Sequence, residues 1–309
     1  VSEEAKKKNK KAKCHMRVNE SDFMDFVELC KMTQSEIKEY IIQILLGIYP
    51  EVYADDGYVY AKGNIPYALT AHMDTVHKET VKTFYEKLDE GKHIIGSLQG
   101  IGGDDRCGIY MILSILKETD LRPTVIFCED EERGCVGSAK FCKTVLVDEL
   151  KEMNFIIELD RANSNDAVYY SCNNPEFEDY ITKETGYKTS WGSCSDISEI
   201  APACGVAAVN FSCGYYKAHT TDEYVVVEEM LATRDMVKEL IQKECEQFEY
   251  IEEVYYGKGL GYDRYSFLRN YYTNDDYDEV YCMEILYTDA NGKEQRDVVE
   301  GRSEEECFG

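Results

Sequence analysis

The strongest constraint on this chain is a unit repeated along it: an apolar run of strand length that stops abruptly in polar residues. Ile65 to Ala71 stops in His72, Met73 and Asp74; Thr124 to Cys128 stops in Glu129, Asp130, Glu131 and Glu132; Phe155 to Ile157 runs into Glu158, Leu159, Asp160 and Arg161. Helical patterns over Arg106 to Glu118 and Gly137 to Leu150 lie between them. Strands alternating with helices predict an α/β fold of three αβα layers, its mixed, mostly parallel sheet covered on both faces. In such sheets ligands collect at the carboxyl ends of the strands, which is where the polar clusters fall. A fourth apolar run, Val206 to Phe211, leads to Tyr215, Tyr216 and His219, and a helix from Val226 to about Phe248 closes the domain. Upstream, helical spacing predicts one or two helices between Asp22 and Gly47, with Ser35 as a cap. Asp55, Asp56 and Gly57 mark a hairpin within Tyr53 to Lys62.

The polar tips have the composition of a metal site. His72 and Asp74, two apart on extended chain, face the same side, so Asp74 can hold the second ring nitrogen of a ligating imidazole. Gly102 and Gly103 allow close backbone approach just before Asp104 and Asp105, neighbouring carboxylates that repel each other unless a cation neutralises them. The four acids from Glu129 to Glu132 carry the same cost. A metal would remove it and divide the labour, one glutamate binding the ion while its neighbour takes a proton from bound water. Taken singly, the elements have ordinary readings, a polar pair for His72 with Asp74 and a helix cap for Asp104. Together His72, Asp104, Glu132, Asp160 and His219 form a five-residue set from separate strand ends. Such nitrogen and oxygen donors suit zinc, with cobalt or manganese chemically accessible, and the histidines argue against the all-oxygen shell of calcium.

In that order, Ala71 to Val76, Gly103 to Arg106, Asp130 to Gly134, Glu158 to Asp160 and Ala218 to Thr220 resemble the superfamily of co-catalytic di-zinc peptidases. It includes leucyl and glutamyl aminopeptidases, peptidase T-like tripeptidases and acetylornithine deacetylase-like amidohydrolases. The resemblance runs from about Ser35 to about Phe248 and implies a zinc aminopeptidase-like phosphorylase/hydrolase fold. It further implies two zinc ions bridged by Asp104, with His72 and Asp160 completing one site and Glu132 and His219 the other. Glu131 would be the general base, Asp74 the carboxylate that orients His72, and the Asp104–Asp105 peptide bond cis. Ser195 and Asp196 match a pair that such relatives carry near the substrate cleft. Arg106, Tyr215 and Tyr216 are candidate oxyanion donors, and Glu131 or Glu158 a candidate partner for a substrate amino terminus. From Asp160 to His219 the chain advances only 59 positions, 219 − 160, too few for the lid domain that many of these relatives insert there. A single-domain aminopeptidase acting on peptides is therefore expected. The alternatives are an amidohydrolase acting on N-acyl amino acids and a scaffold that has lost its chemistry; intact site residues disfavour the scaffold.

Charge and composition limit the partners. With 60 Asp plus Glu against 34 Lys plus Arg, the formal net charge is −26, a field that repels nucleic acid and anionic membrane. The exception is a lysine-rich stretch, Lys6 to Lys13, read as part of a disordered basic tail over residues 1–20. The catalytic domain is expected over 21–254. Residues 255–309 read as a tyrosine-rich acidic appendage, with a hairpin from Val280 to Val299 turning at Asp289 to Gly292. Ser303 with Glu306 has capping-box spacing, which suggests a chain that continues past Gly309. Thirteen cysteines at irregular intervals, with no CxxC pair, read as reduced thiols of a cytoplasmic protein, and Cys107, Cys128 and Cys194 as small core residues. Oligomeric assembly does not follow from the sequence.

Overall fold

The computed structural model describes residues 25–252 throughout, together with three outlying strands. The elements begin with β1 (Lys11–Ala12), α1 (Phe26–Cys30), α2 (Gln34–Ile48), β2 (Val52–Asp55), β3 (Tyr58–Ala61) and β4 (Tyr67–His72). Next come β5 (Tyr85–Asp89), β6 (Lys92–Gly96), α3 (Gly103–Glu118), β7 (Thr124–Cys128), α4 (Val136–Phe141), β8 (Phe155–Arg161) and β9 (Asp166–Val168). The order continues with α5 (Pro175–Thr185), β10 (Lys188–Ser190), α6 (Asp196–Cys204), β11 (Ala208–Ser212), β12 (Tyr215–Tyr216), β13 (Tyr224–Val226) and α7 (Val227–Leu240). Two strands, β14 (Tyr281–Thr288) and β15 (Glu294–Gly301), complete the set.

Nine strands form one mixed sheet in the order β1-β2-β3-β7-β4-β8-β11-β9-β10. Its centre, β7-β4-β8-β11, is parallel, while β3 joins β7 and β9 joins β11 antiparallel. Strand periodicity divides the core: Val125 and Phe127 of β7 belong to one buried cluster with α2, α3 and α7, Ile126 and Cys128 to another with α4 and α6. The sheet is thus covered on both faces, as the alternation of strands and helices predicts. A second sheet, β12-β13-β6-β5, is small and was not foreseen, because β5 is exposed throughout and has no apolar period.

Several local expectations shift. Thr33, not Ser35, caps α2, in a capping box with Glu36. Arg106 to Glu118 falls within α3, Gly137 to Leu150 divides into α4 and a 3₁₀ segment Val145–Glu152, and α7 stops at Leu240. The chain separates into two compact units, Val1–Glu253 and Val254–Gly309. In the second, β14 and β15 pair antiparallel from Tyr281↔Gly301 to Thr288↔Glu294, close to the hairpin read from the sequence. The remainder of the basic tail, the tyrosine-rich stretch, the turn at Asp289 to Gly292 and the Ser303–Glu306 pair lie outside the described residues.

Candidate metal centre

The carboxyl end of β4 delivers His72, and the extended chain after it turns Asp74 back to the ring, with Nδ1 3.2 Å from Oδ1. The same carboxylate accepts the backbone N–H groups of Glu131, at 2.9 Å, and Glu132, at 3.1 Å. Asp74 therefore fixes one donor ring and the strand-end turn carrying two glutamates. Of the four acids after β7, the first two are neutralised locally, Glu129 by Lys38 at 2.5 Å and Asp130 by Arg133 at 3.4 Å. Glu132 turns toward the centre, and Glu131 stands close enough to His72 and Asp160 for their charges to act on it.

Asp104 and Asp105 divide in the same way. The peptide bond between them is cis, as the resemblance implies, and Gly102, at φ 66°, leads into it. Asp105 is fully buried and accepts the N–H groups of His72 at 3.1 Å and Gly108 at 2.8 Å, pinning α3 to β4. Asp104 faces the other way. One oxygen lies 2.9 Å from His72 Nε2 and the other 3.1 Å from His219 Nε2. Asp160 Oδ1 is 3.3 Å from His72 Nε2, and Glu132 Oε2 is 3.1 Å from His219 Nε2. Two groups of donors result, His72 with Asp104 and Asp160, and Asp104 with Glu132 and His219, each with its donor atoms within 4.8 Å of one another. His219 does not stand at the edge of the main sheet: it lies in the turn between β12 and β13 of the small sheet, half exposed, with φ 65°.

The electrostatics are those of a site built around positive charge. Burial works against ionised Asp104, but hydrogen bonds to His219 and His72 prevail and hold its carboxyl far below the usual range. Those with Asp104 and Glu132 push His219 up to about 11. Burial, with the Asp104 charge, pushes Glu132 up to about 7, and burial, with the charges of Asp160, Asp196 and Glu132, raises Glu131. The clustered carboxylates favour positive charge among them, which a divalent cation would supply. Glu132 Oε1 is buried without a hydrogen-bond partner, a free acceptor in a set of nitrogen and oxygen donors. The residues fit a divalent ion, and zinc among such ions.

The supporting residues were only partly foreseen. Ser195 Oγ donates to Asp160 Oδ2 at 2.9 Å and Tyr215 Oη to the Asp160 carbonyl at 3.1 Å, so both hold Asp160 in place. Arg106 donates to the carbonyls of Met73, Asp74 and Met32, and Tyr216 to Glu229, so neither is aimed at a reacting carbonyl. Glu158 and Asp196 are fully buried, and Glu158, a candidate partner for a substrate amino terminus, is not among the residues that wall the cavity described below. Cys107 and Cys128 are buried as expected, whereas Cys194 is exposed. Two residues were missed. Buried Glu223 accepts from Gly102 N, Asp104 N and His77 Nε2 at 2.9, 3.1 and 2.8 Å, anchoring the glycine turn. Asn210 Oδ1 accepts Asp160 N at 2.9 Å; an amide inside an apolar run was the signal that it had a buried partner.

A cavity of about 540 Å³ opens beside the second donor group, walled by Asp74, Gly102, Glu132 and Arg133 and by the loop around Lys78. An α/β sheet with two carboxylate and imidazole groups sharing one aspartate at its carboxyl edge defines the co-catalytic zinc peptidase class. Residues 60–277 match the model of peptidase family M28, and the chain belongs to that family. Metal-dependent peptide hydrolysis is accordingly its reaction class. Among solved structures, aminopeptidase PepT from Bacillus cereus is similar at 17% identity and TM-score 0.55, with 73% of this chain and 98% of that one covered. A tripeptidase from Staphylococcus aureus shares 16% identity at TM-score 0.51, with 74% and 99% covered. TET1 peptidase from Pyrococcus horikoshii, which assembles into a tetrahedron or a large octahedral shell, shares 12% at TM-score 0.52, with 70% and 99% covered. At these identities the likeness is one of fold. No curated protein matches the chain in sequence. Among the described residues no helix is long and apolar enough to cross a membrane.

Proposed function

We propose that the chain removes amino-terminal residues from peptides, with two zinc ions held by His72, Asp104 and Asp160 and by Asp104, Glu132 and His219. The observation that carries this reading is the single carboxylate of Asp104 presenting one oxygen to each imidazole. Bound there, two divalent cations would make a water nucleophilic at neutral pH and polarise the scissile carbonyl. The protein's own part is positional. Glu131 takes the proton of the attacking water on its carboxylate and returns it to the leaving amine. Asp74 keeps His72 in one tautomer and keeps Glu131 beside it through the backbone. Ser195, Tyr215 and Asn210 hold Asp160 in place, and the cavity beside Glu132 gives a short peptide room to lie against the centre. We assign this activity to residues 21–254 and none of it to the appendage over 255–309.

The test is a matched panel of free-amino peptides, amino-blocked peptides and N-acyl amino acids given to the zinc-loaded chain, with products identified by mass and Glu131→Gln as control. Stepwise loss of amino-terminal residues, absent from the control, is the expected result. Cleavage confined to N-acyl amino acids would transfer the reading to an amidohydrolase, and no metal-dependent turnover would leave a scaffold.

A further inference from the structure

Two thiols stand beside the proposed base. Cys135 Sγ lies 3.4 Å from Cys194 Sγ and 3.7 Å from Glu131 Oε1, and its backbone N–H donates to the Glu131 carbonyl at 2.8 Å. Cys135 is 3% exposed at the start of α4, whereas Cys194 is open to solvent on the loop before α6. Among the described residues no other two thiols are within hydrogen-bonding distance. The pairing has consequences for both sulfurs. The one proton of Cys135 can serve either the Glu131 carboxylate or the Cys194 sulfur, and where it serves Cys194 it holds that thiol below its ordinary value. An accessible thiol with a second thiol behind it is the arrangement of a reactive cysteine and its resolving partner.

We propose that Cys135 and Cys194 are a reversible oxidation site, whose disulfide displaces Glu131 and switches the peptidase off. With a hydroperoxide as oxidant, the Cys194 sulfur attacks the peroxide oxygen, giving a sulfenic acid and releasing the alcohol, or water when the oxidant is hydrogen peroxide. The Cys135 sulfur then attacks the Cys194 sulfur. The S–S bond forms, the S–O bond breaks, and the Cys135 proton leaves with the hydroxyl as water. Two thiols and one hydroperoxide thus give one disulfide, one alcohol and one water. A thiol reductant restores the pair by exchange. A disulfide requires the sulfurs at about 2.05 Å, so they must close by more than an ångström from their present separation. Cys135 is bonded through its backbone to Glu131, and displacements of about 1 Å near reacting groups cost up to about 100-fold in rate. The link would also tie the turn bearing Glu131 and Glu132 to the loop whose Ser195 holds Asp160. The loss of activity rests on the role proposed above for Glu131; the cross-link itself does not.

The experiment treats the zinc-loaded full chain with hydrogen peroxide and reads peptide masses, peptidase rate and recovery with dithiothreitol. Expected are a Cys135–Cys194 cross-linked peptide lighter by two hydrogens, a rate lowered by about 10- to 100-fold, and return of both on reduction. In Cys194→Ser, with its basal rate unchanged, neither the cross-link nor the reversible loss should form. No cross-link in the wild type, or an equal reversible loss in Cys194→Ser, would overturn the proposal. A cross-link that leaves the rate unchanged would overturn its regulatory half. Were no peptide hydrolysed in the first place, the mapped cross-link would still decide the site while the functional reading fell.

Discussion

At Asp74 one carboxylate holds a ring nitrogen and two backbone N–H groups, so truncating it releases three partners at once. Asp74→Ala is expected to weaken zinc binding by about 10- to 100-fold, read by competition with a chromophoric chelator; an unchanged affinity would mean that His72 is oriented by its burial alone. Glu131→Gln should behave differently, lowering kcat by about 10²- to 10⁴-fold while metal content stays as in the wild type. A parallel loss of metal would make Glu131 a ligand instead of a base. These side chains were legible because each ends an apolar run, where a charged group has no reason to sit without a partner. Glu223 was not legible. It follows Thr220, Thr221 and Asp222 in an already acidic chain, and its burial comes from the glycine turn brought to it from more than a hundred positions away.

At the level of elements, the best-read parts were β4, β7 and β8, whose continuous apolar sequences cannot be satisfied except between two helical layers. The helix α7 was read too long for an instructive reason. Ile241, Cys245 and Phe248 continue the helical spacing and do pack against the same core, but from irregular chain beyond Leu240. Periodicity reports which side chains are buried more faithfully than it reports the backbone carrying them. Helix and sheet approach closely at Gly108 of α3, where an added Cβ would meet the Leu159 carbonyl of β8 at 2.1 Å and the Asp105 carboxyl of its own helix at 2.5 Å. Gly108→Ala should cost about 1–3 kcal/mol of stability, seen as a lower denaturant midpoint with unchanged slope. A neutral result would mean that helix and sheet separate without penalty.

For the whole molecule, the formal charge of −26 makes the centre a concentrated sample of a general problem. Asp104, Glu131, Glu132 and Asp160 stand together with only two imidazoles among them. An ion that binds the native state alone stabilises it by about 2.7 kcal/mol at a hundred times its Kd. Stripping metal with a chelator should therefore lower Tm, and zinc should restore it in the wild type but much less in Asp104→Asn. Equal Tm values with and without metal would argue that the carboxylates bind no ion in the folded chain.

Asp104 and Asp105 are neighbours in sequence whose side chains serve different masters, one the donor groups and the other the seam between β4 and α3. Machinery and frame are joined there within a single dipeptide. In a saturation scan of this gene, inactive variants would trace an outline wider than the set of atoms a substrate can touch. Inactivity at Asp105 would report a broken frame, although the lesion sits one residue from the chemistry.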